Sequence, residues 1–126
     1  LTSPLEIMSC LGGFEIAAMT GAYLSCAQQG IPVLVDGYIA SAAALVACQL
    51  HTHAGDWLIF AHRSNELGHY CILESLRVKP LLQLELCLGE GSGAAAAVAI
   101  VKQALLLFNN MATFAEAGVS EKKEID

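Results

Sequence analysis

Short apolar runs alternate with helical ones along this chain, and the short runs end in polar loops. Ile31 to Val35 is continuous, apolar and rich in β-branched residues, the pattern of a strand buried on both faces. Asp56 to Ala61, around Trp57-Leu58-Ile59-Phe60, reads the same way. Around them lie segments with helical spacing. Gly13 to Gln29 is one, stopped by Gly30 with Pro32 shortly after. Tyr38 to Leu50, rich in small residues, is a second, and amphipathic Leu67 to Leu76 a third. The Ala-rich run from about Ser92 to Phe108 is a fourth. Such alternation predicts an α/β layered fold with a mostly parallel sheet flanked by helices. His51 to Gly55 is expected as a loop and Leu81 to Leu86 as a third strand, with Gln83 and Glu85 on a wet face. Met111 to Ala117 is expected as a short terminal helix, followed by a mobile acidic tail.

Three strands are few for a Rossmann-like sheet, because its edges and faces stay open. Composition points the same way. Of the 126 residues, 56% are hydrophobic and 14% charged, which is rich in apolar side chains for a free-standing domain of this size. The fold is therefore expected to be incomplete, with a large face buried against a partner or the rest of a larger body. A membrane span needs about 20 apolar residues. Ala94–Phe108 and Tyr38–Leu50 are too short or interrupted, so no span is expected. No secretion signal is read at the start, and Leu1 is not a natural start. The net charge of −6 argues against a nucleic-acid surface. Five widely spaced cysteines without a CxxC pair read as buried free thiols in a reducing cytosol.

Ligands of open α/β sheets bind beyond the carboxyl ends of strands, and three polar loops fall there: Asp36-Gly37-Tyr38, His62-Arg63-Ser64-Asn65-Glu66, and Leu88-Gly89-Glu90-Gly91-Ser92-Gly93. The last sets a single carboxylate among glycines, which let backbone approach a ligand closely. At the mouth of a helix it is placed to take a proton from something small. Each loop also has a plain reading. Asp36-Gly37 is a common strand exit with a helix cap. Arg63 pairs with Glu66 in a surface contact worth little, and a GxGxG string is often a tight turn. His51 and His53 lack a nearby third ligand, and no metal site is expected.

Several segments carry a resemblance: Gly12-Gly13-Phe14-Glu15-Ile16-Ala17-Ala18-Met19-Thr20-Gly21-Ala22, then Pro32-Val33-Leu34-Val35-Asp36-Gly37-Tyr38-Ile39, Ala61-His62-Arg63-Ser64, Gly68-His69, Leu88-Gly89-Glu90-Gly91-Ser92-Gly93-Ala94, and Asn110-Met111-Ala112-Thr113-Phe114-Ala115-Glu116-Ala117-Gly118-Val119. In order and spacing the chain resembles the C-terminal part of the nicotinate-nucleotide–dimethylbenzimidazole phosphoribosyltransferases. The resemblance covers nearly the whole chain but about a third of the family's usual length. It implies that residues 1–109 are the C-terminal part of the catalytic domain, 110–120 a short helix of a small accessory domain and 121–126 the tail. The family's N-terminal part, with another glycine-rich phosphate loop, is missing.

The implied reaction moves the ribose phosphate of nicotinate mononucleotide onto a nitrogen of dimethylbenzimidazole, releasing nicotinate with inversion at the anomeric carbon. It belongs to cobalamin nucleotide-loop assembly and needs no cofactor. The resemblance maps the family's catalytic base onto Glu90. One carboxylate suffices because the leaving nitrogen is a cationic pyridinium, unlike the poor leaving oxygen that makes glycosidases use two. Asp36, Gly37, Arg63, Ser64, Leu88, Gly89 and Gly91 are the expected substrate-binding residues. Arg63 brings a fork of donors and Ser64 a hydroxyl suited to phosphate. A cytoplasmic homodimer is also implied. Two other readings stay open: a truncated, non-catalytic α/β binding or assembly module, and a generic nucleotide-binding fragment. The latter expects GxGxxG after the first strand, where Asp36-Gly37-Tyr38-Ile39-Ala40-Ser41 stands.

Overall fold

The computed structural model of the chain describes residues 3–87 and 89–119. Helix α1 (Pro4–Leu11) opens it, with proline at the first helical position and a Ser3/Glu6 capping box. Helix α2 (Phe14–Gln28) ends in a Schellman motif. There the Ile31 N–H donates to the Cys26 carbonyl at 2.9 Å and the Gly30 N–H to that of Ala27 at 3.2 Å. Gly30 has φ 69° and sits against the Trp57 ring, a place for glycine on both counts.

Strand β1 (Val33–Val35) leads into helix α3 (Tyr38–Leu50), and a 3₁₀ turn (Thr52–Trp57) leads into strand β2 (Leu58–Phe60). Helices α4 (Leu67–Leu76) and α5 (Ser92–Asn110) complete the order. The strands pair in parallel, Val33 opposite Leu58 and Val35 opposite Phe60. The core gathers Tyr23 of α2, Val35, Leu58 and Phe60 of the strands, Leu73 of α4 and three alanines of α3. Ala43, Ala44 and Ala47 are fully buried. They let α2 and α3 approach closely enough for the Thr20 hydroxyl, 2.8 Å from the Ile16 carbonyl, to reach that of Ala43 at 3.2 Å.

The α/β architecture with a parallel sheet is as expected, and it is small. The third strand is reduced to a single parallel bridge between His62 and Leu82. Bonds from Leu81 N–H to the Phe60 carbonyl (2.9 Å), Leu82 N–H to Ala61 (3.0 Å) and Arg63 N–H to Leu82 (3.0 Å) start a ladder that goes no further. Glu85 turns into the left-handed region at φ 51°, and Gln83, Leu84 and Glu85 are exposed, so neither path nor packing keeps the segment extended. The expected loop at His51–Gly55 is largely the 3₁₀ turn. The expected helix at Met111–Ala117 is a set of turns, tied by the Thr113 amide and hydroxyl to the Glu116 carboxylate at 2.8 and 3.0 Å. The acidic tail lies outside the described residues.

The thiols also differ from expectation. All five are free, but Cys10, Cys71 and Cys87 are exposed and Cys26 and Cys48 half-buried. The faces that carry them are uncovered in this chain. Phe14 is 97% exposed, Leu67 89% and Phe108 82%. Helix α5 is longer than its apolar core predicted. At 19 residues it is long and apolar enough to cross a membrane by length and composition, with 11% of its apolar window buried. Its first turn is nevertheless tied to the end of β1, through bonds described next.

Candidate active site

A cleft of about 180 Å³ opens at the carboxyl ends of β1 and β2. Asp36 and Gly37 reach it from β1, Ser64 from the loop after β2, and Gly89 and Glu90 from the turn before α5. Tyr38, Ile39, Ala40, Glu66 and Cys87 complete its wall; Tyr38 and Glu66 lie in loops that the sequence singled out, though none of the five is among the expected binding residues. Arg63 is not in its lining and faces an adjoining recess of about 80 Å³ that it shares with Ser64, Asn65, Gln83 and Glu85. Gly91 contributes its amide to the frame rather than to the cleft. Leu88 lies outside the described residues. A larger apolar cavity of about 420 Å³, lined by Leu24, Leu50 and Trp57 among others, lies toward the amino ends of the strands. It lacks the strand-end polar groups that converge on the smaller cleft.

The glycine loop is a tight turn. The Ser92 hydroxyl and amide both bond the Gly89 carbonyl, at 2.7 and 3.3 Å. Between them Glu90 has φ 61° and Gly91 φ 81°, the φ values of a type I′ turn. A glycine suits the second position. The first holds a side chain where L-residues are disfavoured by roughly 1–2 kcal/mol, and the exposed Glu90 carboxylate stands at the tip. A strained non-glycine residue held at a cleft is itself a pointer to function.

Asp36 sits behind the turn. One carboxylate oxygen accepts the Gly91 amide at 3.1 Å and the other the Ala94 amide at 2.8 Å. Helix α5 has no side-chain cap from its own N-cap residue, so an aspartate from the end of β1 caps it instead. Asp36 thus caps a helix, though a distant one rather than the helix that follows it, and it also lines the cleft. The His62 ring is completely buried beside it, with Nε2 3.9 Å from the nearer Asp36 oxygen. Neither His62 ring nitrogen has a hydrogen-bond partner among the described residues.

A second buried histidine sets the Ser64 loop. The Ser64 amide donates to His69 Nδ1 at 3.0 Å, so the neutral ring carries its proton on Nε2 and donates to the Ser41 hydroxyl at 2.9 Å. The Ser64 hydroxyl lies 2.8 Å from the same Nδ1. Its bond to Glu66, with the residue's own amide, holds that carboxyl below the usual range. Burial, followed by the neighbouring His62, pushes the His69 pKa down, against the pull of Glu66. The unfolded chain therefore binds a proton at His69 more readily than the folded one. Stability is full above the unfolded value of about 6.5 and declines as pH falls through it. Unfolding midpoints of the full-length protein are expected to drop as pH falls below about 6.5, and the drop to shrink in His69→Gln. An unchanged slope in that variant removes His69 as its source.

Among the described residues no group of three His, Cys, Asp or Glu could hold a metal. His51 and His53 are exposed, and His53 Nδ1 pairs with Asp56 at 3.2 Å.

A family model described as a phosphoribosyltransferase matches residues 1–119. A protein of Xanthomonas oryzae pv. oryzae named nicotinate-nucleotide–dimethylbenzimidazole phosphoribosyltransferase is 59% identical over 120 residues, 95% of this chain and 34% of its own length. One of the same name from Pseudomonas syringae pv. tomato is 60% identical over 119 residues, again 34% of its length. A crystal structure of the enzyme of that name from Thermus thermophilus superposes with a TM-score of 0.88 at 41% identity, covering 96% of this chain and 36% of that one. The chain thus spans about a third of the length of the relatives it matches.

Proposed function

This chain belongs to the phosphoribosyltransferase family, and from that premise we propose that it carries the Glu90 half of a site transferring ribose phosphate from nicotinate mononucleotide to dimethylbenzimidazole. The products are α-ribazole phosphate and nicotinate, a step of cobalamin nucleotide-loop assembly. The observation that carries the reading is the single carboxylate at the tip of a braced turn, at the carboxyl ends of a parallel sheet. A benzimidazole nitrogen attacks the anomeric carbon while the bond to the pyridinium nitrogen breaks, its electron pair leaving with nicotinate. The other benzimidazole nitrogen then carries an acidic N–H, and Glu90 accepts that proton and faces the developing positive charge. The backbone at Gly37, at a strand end, suits the phosphate, and Ser64 joins it once its hydroxyl turns from the Glu66 carboxylate that it bonds here.

Residues 1–109 are, on this reading, the C-terminal part of the catalytic domain. The rest of the enzyme and a second copy cover the apolar faces of α1, α2 and α5, so a homodimer fits. Five free thiols suit the cytoplasm. The test is reconstitution. The isolated 126-residue chain is expected to associate through its exposed apolar surface and to form no ribazole phosphate. Reactants there lack the opposite wall that holds them in line. Co-expression with the N-terminal part of a relative is expected to restore solubility and then stoichiometric release of nicotinate. A soluble reconstituted protein that forms no product favours a non-catalytic module.

A further inference from the structure

We propose that Asp36 is a positioning residue for Glu90: by gripping the Gly91 and Ala94 amides with its two oxygens, it holds the turn that carries Glu90 in one orientation toward the cleft. The inference rests on the reading of Glu90 as the proton acceptor. Bonds of the turn from Ser92 to Gly89 are internal to it and do not tie it to the sheet. The two bonds to Asp36, across 55 and 58 residues of chain, do. They are charge-assisted and lie at the positive end of α5, where a carboxylate is favoured. One of them is made by the amide directly after Glu90, so a shift at Asp36 is passed to the Glu90 α-carbon through a single residue.

The neighbours make the brace stiff. His62 is buried against Gly93, where an added methyl group would overlap its ring. It also lies close to Gly37, where an added methyl would sit 3.3 Å from Nε2. The first turn of α5 is thus clamped between an aspartate that pulls it in and a ring that stops it. Both Asp36 oxygens are engaged by amides; the residue also borders the cleft, and KM against kcat separates holding the turn from touching substrate.

The test uses the full-length enzyme that contains this segment. Asp36→Asn puts an amide NH₂ against one of the two backbone donors. Turnover is expected to fall about 10²-fold, as for misplacement of a reacting group by an ångström. KM for nicotinate mononucleotide is expected to stay within about threefold, because uniform substrate binding is untouched. Residues that act as a unit are non-additive. Asp36→Asn combined with Glu90→Gln is therefore expected to be no slower than Glu90→Gln alone. Binding of nicotinate mononucleotide by calorimetry reports folding of each variant. Should Asp36→Asn not fold, Asp36→Glu keeps the charge but displaces the carboxylate by one methylene from the two amides, and the same loss of kcat is expected. A loss carried by KM makes Asp36 a substrate contact and overturns the inference. So does a double variant slower than Glu90→Gln by the full Asp36→Asn factor, or near-normal kcat in Asp36→Asn beside an inactive Glu90→Gln. An active Glu90→Gln overturns the base assignment itself, and the positioning role with it.

Discussion

Glu90→Gln in the full-length enzyme is expected to lose about 10² to 10⁴-fold in turnover, the span a positioned general base contributes. The change is nearly isosteric, and the Glu90 side chain is exposed at the tip of its turn. Its removal therefore touches the chemistry far more than the fold, and the free energy of unfolding should stay within about 0.5 kcal/mol of wild type. On the proposed mechanism the Gln amide would still present an oxygen to the benzimidazole N–H but could not take the proton. KM for either substrate should change less than kcat, since the interaction lost is made fully only as positive charge develops. Steady-state rates and a urea titration on the same preparation separate the two effects. A variant with wild-type turnover would remove Glu90 from the mechanism.

Gly93→Ala is expected to be the most damaging methyl group that can be added in this region. The new β-carbon would occupy the His62 ring, which is itself buried. Overpacking of this kind costs about 1–3 kcal/mol. Relief by sliding α5 outward would break the Asp36 bonds to Gly91 and Ala94 and carry Glu90 with them. Stability and turnover should therefore fall together, unlike Glu90→Gln. Combining Gly93→Ala with His62→Ala makes room for the methyl group, and the two changes should compensate by about 0.5–3 kcal/mol. Urea unfolding of the four proteins measures this coupling. Additive losses would show that ring and glycine do not meet.

Much of this was legible in the sequence, for identifiable reasons. Helices α3 and α4 were predicted at their observed bounds, because apolar periodicity and polar or Gly/Pro punctuation coincide there. β1 and β2 were found within longer runs, since β-branched and aromatic residues cluster at buried strands. Helix α1 was missed although Ser3-Pro4-Leu5-Glu6 carries both a capping box and a proline start. The signal was there to read. The third strand failed because apolar alternation reports a half-buried face and not the backbone, and Glu85 leaves the extended region. Three loops were named as the site, and all three converge. What each residue does there was less visible. Asp36 caps a helix 55 residues away, Arg63 faces another recess, and the pairing of His69 with Ser41 and Ser64 depends on contacts across the fold. Local pattern carries no information on such distant bonds.

The central claim is that the Glu90 carboxylate receives the benzimidazole proton from the tip of a turn braced by Asp36. A crystal structure of the full-length protein with dimethylbenzimidazole and nicotinate bound tests it most directly. The account predicts a benzimidazole nitrogen about 2.6–3.2 Å from a Glu90 carboxylate oxygen, with Asp36 still on the Gly91 and Ala94 amides. A base whose N–H points to another side chain, with Glu90 turned to solvent, would contradict it.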